Sequence, residues 1–79
     1  MPVALLEAMS LGLPVLGSDI PGINYVLKDF SNLLFEEGNE IALAAKIKEI
    51  YSMSEMERNL LGQKLRNFCV ENFSMQKFI

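Results

Sequence analysis

The run PVLGS at residues 14–18 is short, continuous in its apolar character and bounded by turn-forming residues. A run too short for a helix and without polar alternation is the pattern of a strand covered on both faces. Such a strand belongs in a parallel sheet, because crossover helices are what cover both faces. NLLF, at residues 32–35, is a second run of this kind, ended by the turn sequence EEGN with Gly38 as the turn residue. Everything else in the chain has to supply helices around these two strands.

The flanking segments read that way. Residues 3–11 hold strong helix formers with no β-branched run after Val3. Gly12 fits the position just past the helix end, and Pro14 falls where the helix cannot continue. SDIPG makes a turn in which Asp19 can cap, Pro21 suits a first helical position and Gly22 permits tight backbone. A short helix or turn is expected over residues 22–28. Asn39 is a good N-cap for a helix to about Met53, with Ile41, Ala44, Ala45, Ile47, Ile50 and Tyr51 at helical spacing. Ser54 and Glu57 form a capping box that opens a second long helix. Leu61, Leu65, Phe68 and Cys69 share one stripe of it, and Met56 is read as core with them. Its end is expected at Asn72 or Phe73, and Ser74 is placed to cap a further helix.

The predicted order is therefore helix, strand, helix, strand, helix, helix, which is an α/β pattern. Two strands do not make a covered parallel sheet on their own. Either another chain supplies strands or these residues are the tail end of a larger α/β domain, and the second is the preferred reading.

Composition narrows the function classes. The chain of 79 residues allows one small domain, and 51% hydrophobic residues is a high share for that size. A chain this short buries only about 60–65% of its unfolded surface. Some apolar surface is therefore expected to face a neighbouring piece of protein, which leaves self-association open. Seven basic residues against ten acidic ones, a net charge of −3, give no Lys/Arg patch for nucleic acid. One cysteine and no histidine exclude an internal disulfide and a zinc set built from His and Cys. Cys69 is expected to be a buried structural thiol. No stretch is long and unbroken enough for a membrane span, and no basic n-region marks a signal peptide. These features point to a cytoplasmic setting.

Glu7 is the residue that composition does not explain. It stands among Leu5, Leu6, Ala8 and Met9 in the first predicted helix. It is either the solvated edge of that helix or a carboxylate kept for a ligand. Other acids read more simply: Asp19 as a turn or cap residue, Glu36 and Glu37 as a solvated strand end. Lys46, Lys48 and Glu49 read as the solvated face of their helix.

The string PVALLEAMSLGLPVLGSDIPGINYVLKD resembles the C-terminal domain of family 4 retaining glycosyltransferases, which have the two-domain GT-B architecture. Pro2 to Leu6 match a helix opening. Glu7 matches the second glutamate of a pair, and Ala8 and Met9 match the residues next to it. Gly12, Pro14 and Val15 match the turn into the next strand; Gly17, Ser18, Asp19, Pro21 and Gly22 match the loop beyond. NLLFEEGN and ENFSMQKF resemble later family stretches, so the resemblance covers essentially the whole chain. It implies the C-terminal part of a Rossmann-like parallel-sheet domain of GT-B type, residues 1–79 being a partial nucleotide-sugar-binding domain. There are departures. The first glutamate of the pair would fall two places before Met1, Met1 stands where phenylalanine is usual, and Tyr25 replaces a frequent acid. The chain also stops where the family's last helix would begin.

The resemblance implies roles for three residues. Glu7 would bind the ribose hydroxyls of a nucleotide diphosphate-sugar donor. The backbone amides of Val3 and Ala4, in the first turn, would contact the donor diphosphate, where free N–H groups and the helix dipole favour an anion. No catalytic residue, no metal ion and no cofactor is implied within these residues, and the donor-neutralising basic residues would lie upstream. The whole enzyme would move a sugar to a hydroxyl acceptor, in glycan or polysaccharide synthesis, with the missing upstream domain as its partner; this chain alone is expected to be inactive. The alternatives are a non-catalytic module that self-associates through apolar helix faces and a different nucleotide-sugar enzyme of the same architecture.

Overall fold

The computed structural model describes residues 2–73. The helix expected from Ser74 lies outside the described residues, as does Met1. The elements in chain order are helix α1 (Val3–Ser10), strand β1 (Gly17–Ser18), helix α2 (Ile23–Val26), a 3₁₀ segment (Lys28–Leu33), strand β2 (Leu34–Phe35), helix α3 (Glu40–Ser52) and helix α4 (Glu55–Asn72). This is a mixed, helix-rich fold with one small sheet, in the expected order apart from the 3₁₀ segment. It divides into two compact units, Leu16–Ser52 and Pro2–Val15 with the described part of Met53–Ile79.

In the first unit β1 and β2 pair in parallel, Gly17 opposite Leu34 and Ser18 opposite Phe35. The amide of Asp19 extends the pairing by donating to the carbonyl of Phe35 at 2.8 Å. The connection between the strands runs through α2 and the 3₁₀ segment, whose Val26, Leu27 and Leu33 are buried. Gly17 is buried beneath that connection. A Cβ at Gly17 would stand 2.5 Å from Cγ2 of Ile23 and 2.9 Å from Cδ1 of Leu27, so the crossover rests directly on the strand backbone.

Both strands are shorter than expected. Only Gly17 and Ser18 of PVLGS pair, and only Leu34 and Phe35 of NLLF, because Asn32 and Leu33 are taken by the 3₁₀ segment. An apolar run reports burial, whereas a ladder needs a second backbone alongside, and here that exists for two residues on each strand. Pro21 does not occupy a first helical position. Gly22 is the N-cap of α2, with φ +91°, and the four-residue helix begins one residue later.

Helix α3 starts as its sequence predicts, the Asn39 Oδ1 accepting from the amide of Ala42 at 2.9 Å. It buries no residue at all. Ile41 and Tyr51 are 85% and 84% exposed, so its helical apolar spacing does not define a covered face. Lys46 pairs with Glu49 at 3.8 Å on the same helix, a surface contact of small energetic weight.

In the second unit α4 opens on the predicted capping box. Ser54 Oγ accepts from the Glu57 amide at 3.1 Å while a Glu57 carboxylate oxygen accepts from the Ser54 amide at 3.0 Å. The helix ends at Asn72 with Phe73 as its C-cap, at the expected place. Its buried residues are Gly62, Leu65 and Cys69, which face the buried Leu6 and Met9 of α1. Leu61 and Phe68 are half-buried at the edge of this stripe. Met56 is 73% exposed and is not core. It lies in the first turn, well before Gly62, the first position of the helix that is buried.

Candidate functional site

Helix α1 is eight residues long and owes its boundaries to backbone chemistry. Pro2 precedes it without a side-chain cap, and Leu6 closes the first turn by donating to the Pro2 carbonyl at 3.2 Å. At the other end Gly12, with φ +74°, donates to the Met9 carbonyl at 2.9 Å and Leu13 donates to that of Ala8 at 3.2 Å. These two bonds are the Schellman closure that a left-handed residue just past a helix permits.

The helix has two unlike faces. Leu6 and Met9 are buried against α4. Val3, Ala4, Glu7 and Leu11 are exposed. Positions three and four apart share a helix face, so Val3, Ala4 and Glu7 stand together on that exposed surface. Side chains on a helix lean toward its N-terminus, which aims Glu7 back at the first turn. The helical rise separates the levels of Val3 and Glu7 by about 6 Å.

Glu7 has its main chain occupied and its side chain open. Its carbonyl accepts from Ser10 Oγ at 2.7 Å and from the amide of Leu11 at 3.2 Å. Its carboxylate has no hydrogen-bond or ion-pair partner among the described residues. The first turn of α1 has no acidic residue and no side-chain cap, so the amides of Val3 and Ala4 also lack an acceptor among the described residues. Open amides at a helix N-terminus carry partial positive charge and suit an anion. The arrangement offers donors for a polyanion at one end and, one turn away, a carboxylate that accepts hydrogen bonds.

The remaining acids are placed differently. Asp19 is exposed and its Oδ1 accepts from Asn24 Nδ2 at 3.1 Å, bracing the turn before α2 instead of capping its amides. Glu36 and Glu37 lie in the turn closed by the amide of Asn39 on the Glu36 carbonyl at 3.1 Å. Tyr25, where the resemblance leads one to look for an acid, is exposed, and the Lys28 ammonium sits 5.0 Å from its ring centroid. The Cys69 thiol is buried, 3.5 Å from the Leu6 carbonyl, and burial pushes its pKa up.

Gly62 is the feature missed from sequence. A Cβ there would collide with the carbonyl oxygen of Gly12 and lie 2.8 Å from its carbon. A glycine in the middle of a helical pattern, at about 1 kcal/mol against alanine, was the available signal.

No helix among the described residues is long and apolar enough to cross a membrane. Within this helix-rich α/β fold, α1 carries the open Glu7 carboxylate and its own uncapped N-terminus on the same exposed face. The family model for glycosyl transferases group 1 matches residues 1–67, and the chain belongs to that family. No curated protein and no solved structure matches the chain.

Proposed function

We propose that these residues form part of the nucleotide-sugar-binding domain of a family 4 retaining glycosyltransferase, Rossmann-like and of GT-B architecture. The whole enzyme transfers a sugar from a nucleotide diphosphate donor to a hydroxyl acceptor in glycan or polysaccharide synthesis. Family membership supports sugar transfer. The observation that carries the finer reading is the shared exposed face of Val3, Ala4 and Glu7.

The chemistry comes from that face. A carboxylate accepts hydrogen bonds from two adjacent ribose hydroxyls at once, and each bond to a charged group contributes roughly 1.5–3 kcal/mol. The diphosphate on the 5′ side of the same ribose then falls toward the first turn, where the Val3 and Ala4 amides donate to it. Basic side chains outside these residues complete the charge balance, and no metal ion enters this reading. Positioned donors around the departing diphosphate lower the barrier to its release.

The test is a titration of the full-length protein with uridine, guanosine and adenosine diphosphates, comparing wild type with Glu7→Ala. The reading predicts that the variant binds about one to two orders of magnitude more weakly, at about 1.4 kcal/mol per tenfold. Equal affinity would defeat the role given to Glu7.

A second reading, a non-catalytic module that self-associates, is favoured by the exposed Ile41, Ile47 and Tyr51 of α3. It predicts that Glu7 is dispensable and that Tyr51→Glu converts an oligomer to a monomer in light scattering. A wild-type chain that stays monomeric at high concentration would exclude it.

A further inference from the structure

Two contacts join α4 to the backbone of α1, one on each side of Glu7. Gly62 lies so close to the Gly12 carbonyl that no side chain fits between them. The Cys69 thiol donates to the carbonyl of Leu6, the neighbour of Glu7, at 3.5 Å. The order is reversed along the two segments, Gly12 meeting Gly62 and Leu6 meeting Cys69, so the helices run antiparallel. Six residues separate the contacts on one segment and seven on the other. On α4 the seven steps rise about 10.5 Å, close to two helical turns. Leu65 lies between the two contacts and is fully buried, as are Leu6 and Met9 opposite it.

An eight-residue helix does not hold its own position in water. Its height and rotation come from what it packs on. Here both are set where backbone meets a position without bulk: Gly62 fixes how near the C-terminal turn approaches, and Cys69 fixes the turn that carries Glu7. A larger residue at either point lifts or rolls α1, and the opposite face, with Glu7 on it, moves by the same displacement.

We propose that Gly62 and Cys69 are positioning residues for the nucleotide-binding face of α1, acting on donor affinity through Glu7. This rests on the ribose-binding role of Glu7 argued above. Neither residue touches the donor; each determines where the Glu7 carboxylate stands when the ribose arrives.

The experiment is a double-mutant cycle on the full-length protein, read by calorimetric titration with uridine, guanosine and adenosine diphosphates. The variants are Gly62→Ala, Glu7→Gln and the pair. Gly62→Ala is expected to weaken binding about tenfold when Glu7 is present and only about two- to threefold, through the Val3 and Ala4 amides, when Glu7 is already gone. A residue that merely supports the fold would weaken both backgrounds equally, and that result overturns the proposal. So does unchanged affinity in Gly62→Ala where Glu7→Gln lowers it. If Gly62→Ala loses its helical circular dichroism, Cys69→Val carries the same cycle. Cys69→Ser, small and still a donor, is then expected to restore wild-type binding, and failure to do so counts against the proposal. Wild-type protein that binds none of the three diphosphates, or Glu7→Gln that binds as wild type, removes the reading of Glu7 itself and the positioning role with it.

Discussion

Gly62→Ala ought to stabilise a helix and is predicted here to destabilise the protein. In an open helix interior the exchange gains about 1 kcal/mol, because alanine loses less backbone freedom on folding. At Gly62 the new methyl would occupy the place of the Gly12 carbonyl oxygen, and it would lie 2.8 Å from the carbonyl carbon, inside van der Waals contact. The obstacle is backbone, so no rotamer change relieves it. Inserting bulk into a packed contact costs about 1–3 kcal/mol. Moving Gly12 also disturbs the two closing bonds of α1, from Gly12 to Met9 and from Leu13 to Ala8, each contributing about 1 kcal/mol. Set against the propensity gain, the net loss is about 2–4 kcal/mol when both bonds are lost. For a domain of 60–100 residues each kcal/mol shifts Tm by about 4–8 °C, so a fall of roughly 8–30 °C is expected. Thermal unfolding followed by far-ultraviolet circular dichroism measures it. A Tm equal to or above that of wild type would refute the close approach of α1 and α4.

Other outcomes are expected from the same contacts. Ser54→Ala removes one half of the capping box and should lower stability by about 0.5–2 kcal/mol in urea unfolding. The Glu57 carboxylate is held below its ordinary pKa by its hydrogen bonds with Ser54. Its contribution is therefore complete at neutral pH and is lost as pH falls through the carboxylate range, so wild type and Glu57→Gln should converge in stability at acid pH. The Cys69 thiol, with its pKa raised by burial, should react with iodoacetamide only slowly until denaturant is added. Stability should hold below the ordinary thiol pKa of about 8.5 and decline as pH rises beyond it, since the unfolded thiol ionises first; Cys69→Ala should lack that decline.

Features set by adjacent residues were legible in the chain. Gly12 past the end of α1, Asn39 before α3 and the Ser54–Glu57 box before α4 all act within a few residues of one another, and all sit where their chemistry predicts. Strand extent was not, because pairing at Gly17 and Ser18 depends on Leu34 and Phe35 across a crossover. Periodicity in α3 announced a helix but said nothing about cover for Ile41 and Tyr51, since spacing encodes a face and not its neighbour. At the candidate site Glu7 stood out as an acid in apolar company. Its exposure beside the Val3 and Ala4 amides needed the helix to be turned the right way, and what turns it is Gly62, fifty-five residues further along the chain.

The most direct measurement is a crystal structure of the protein with a bound nucleoside diphosphate. Both ribose hydroxyls are expected within about 2.5–3.0 Å of the Glu7 carboxylate, and the diphosphate on the amides of Val3 and Ala4. A nucleotide bound with its ribose away from Glu7 would contradict the role given to Glu7.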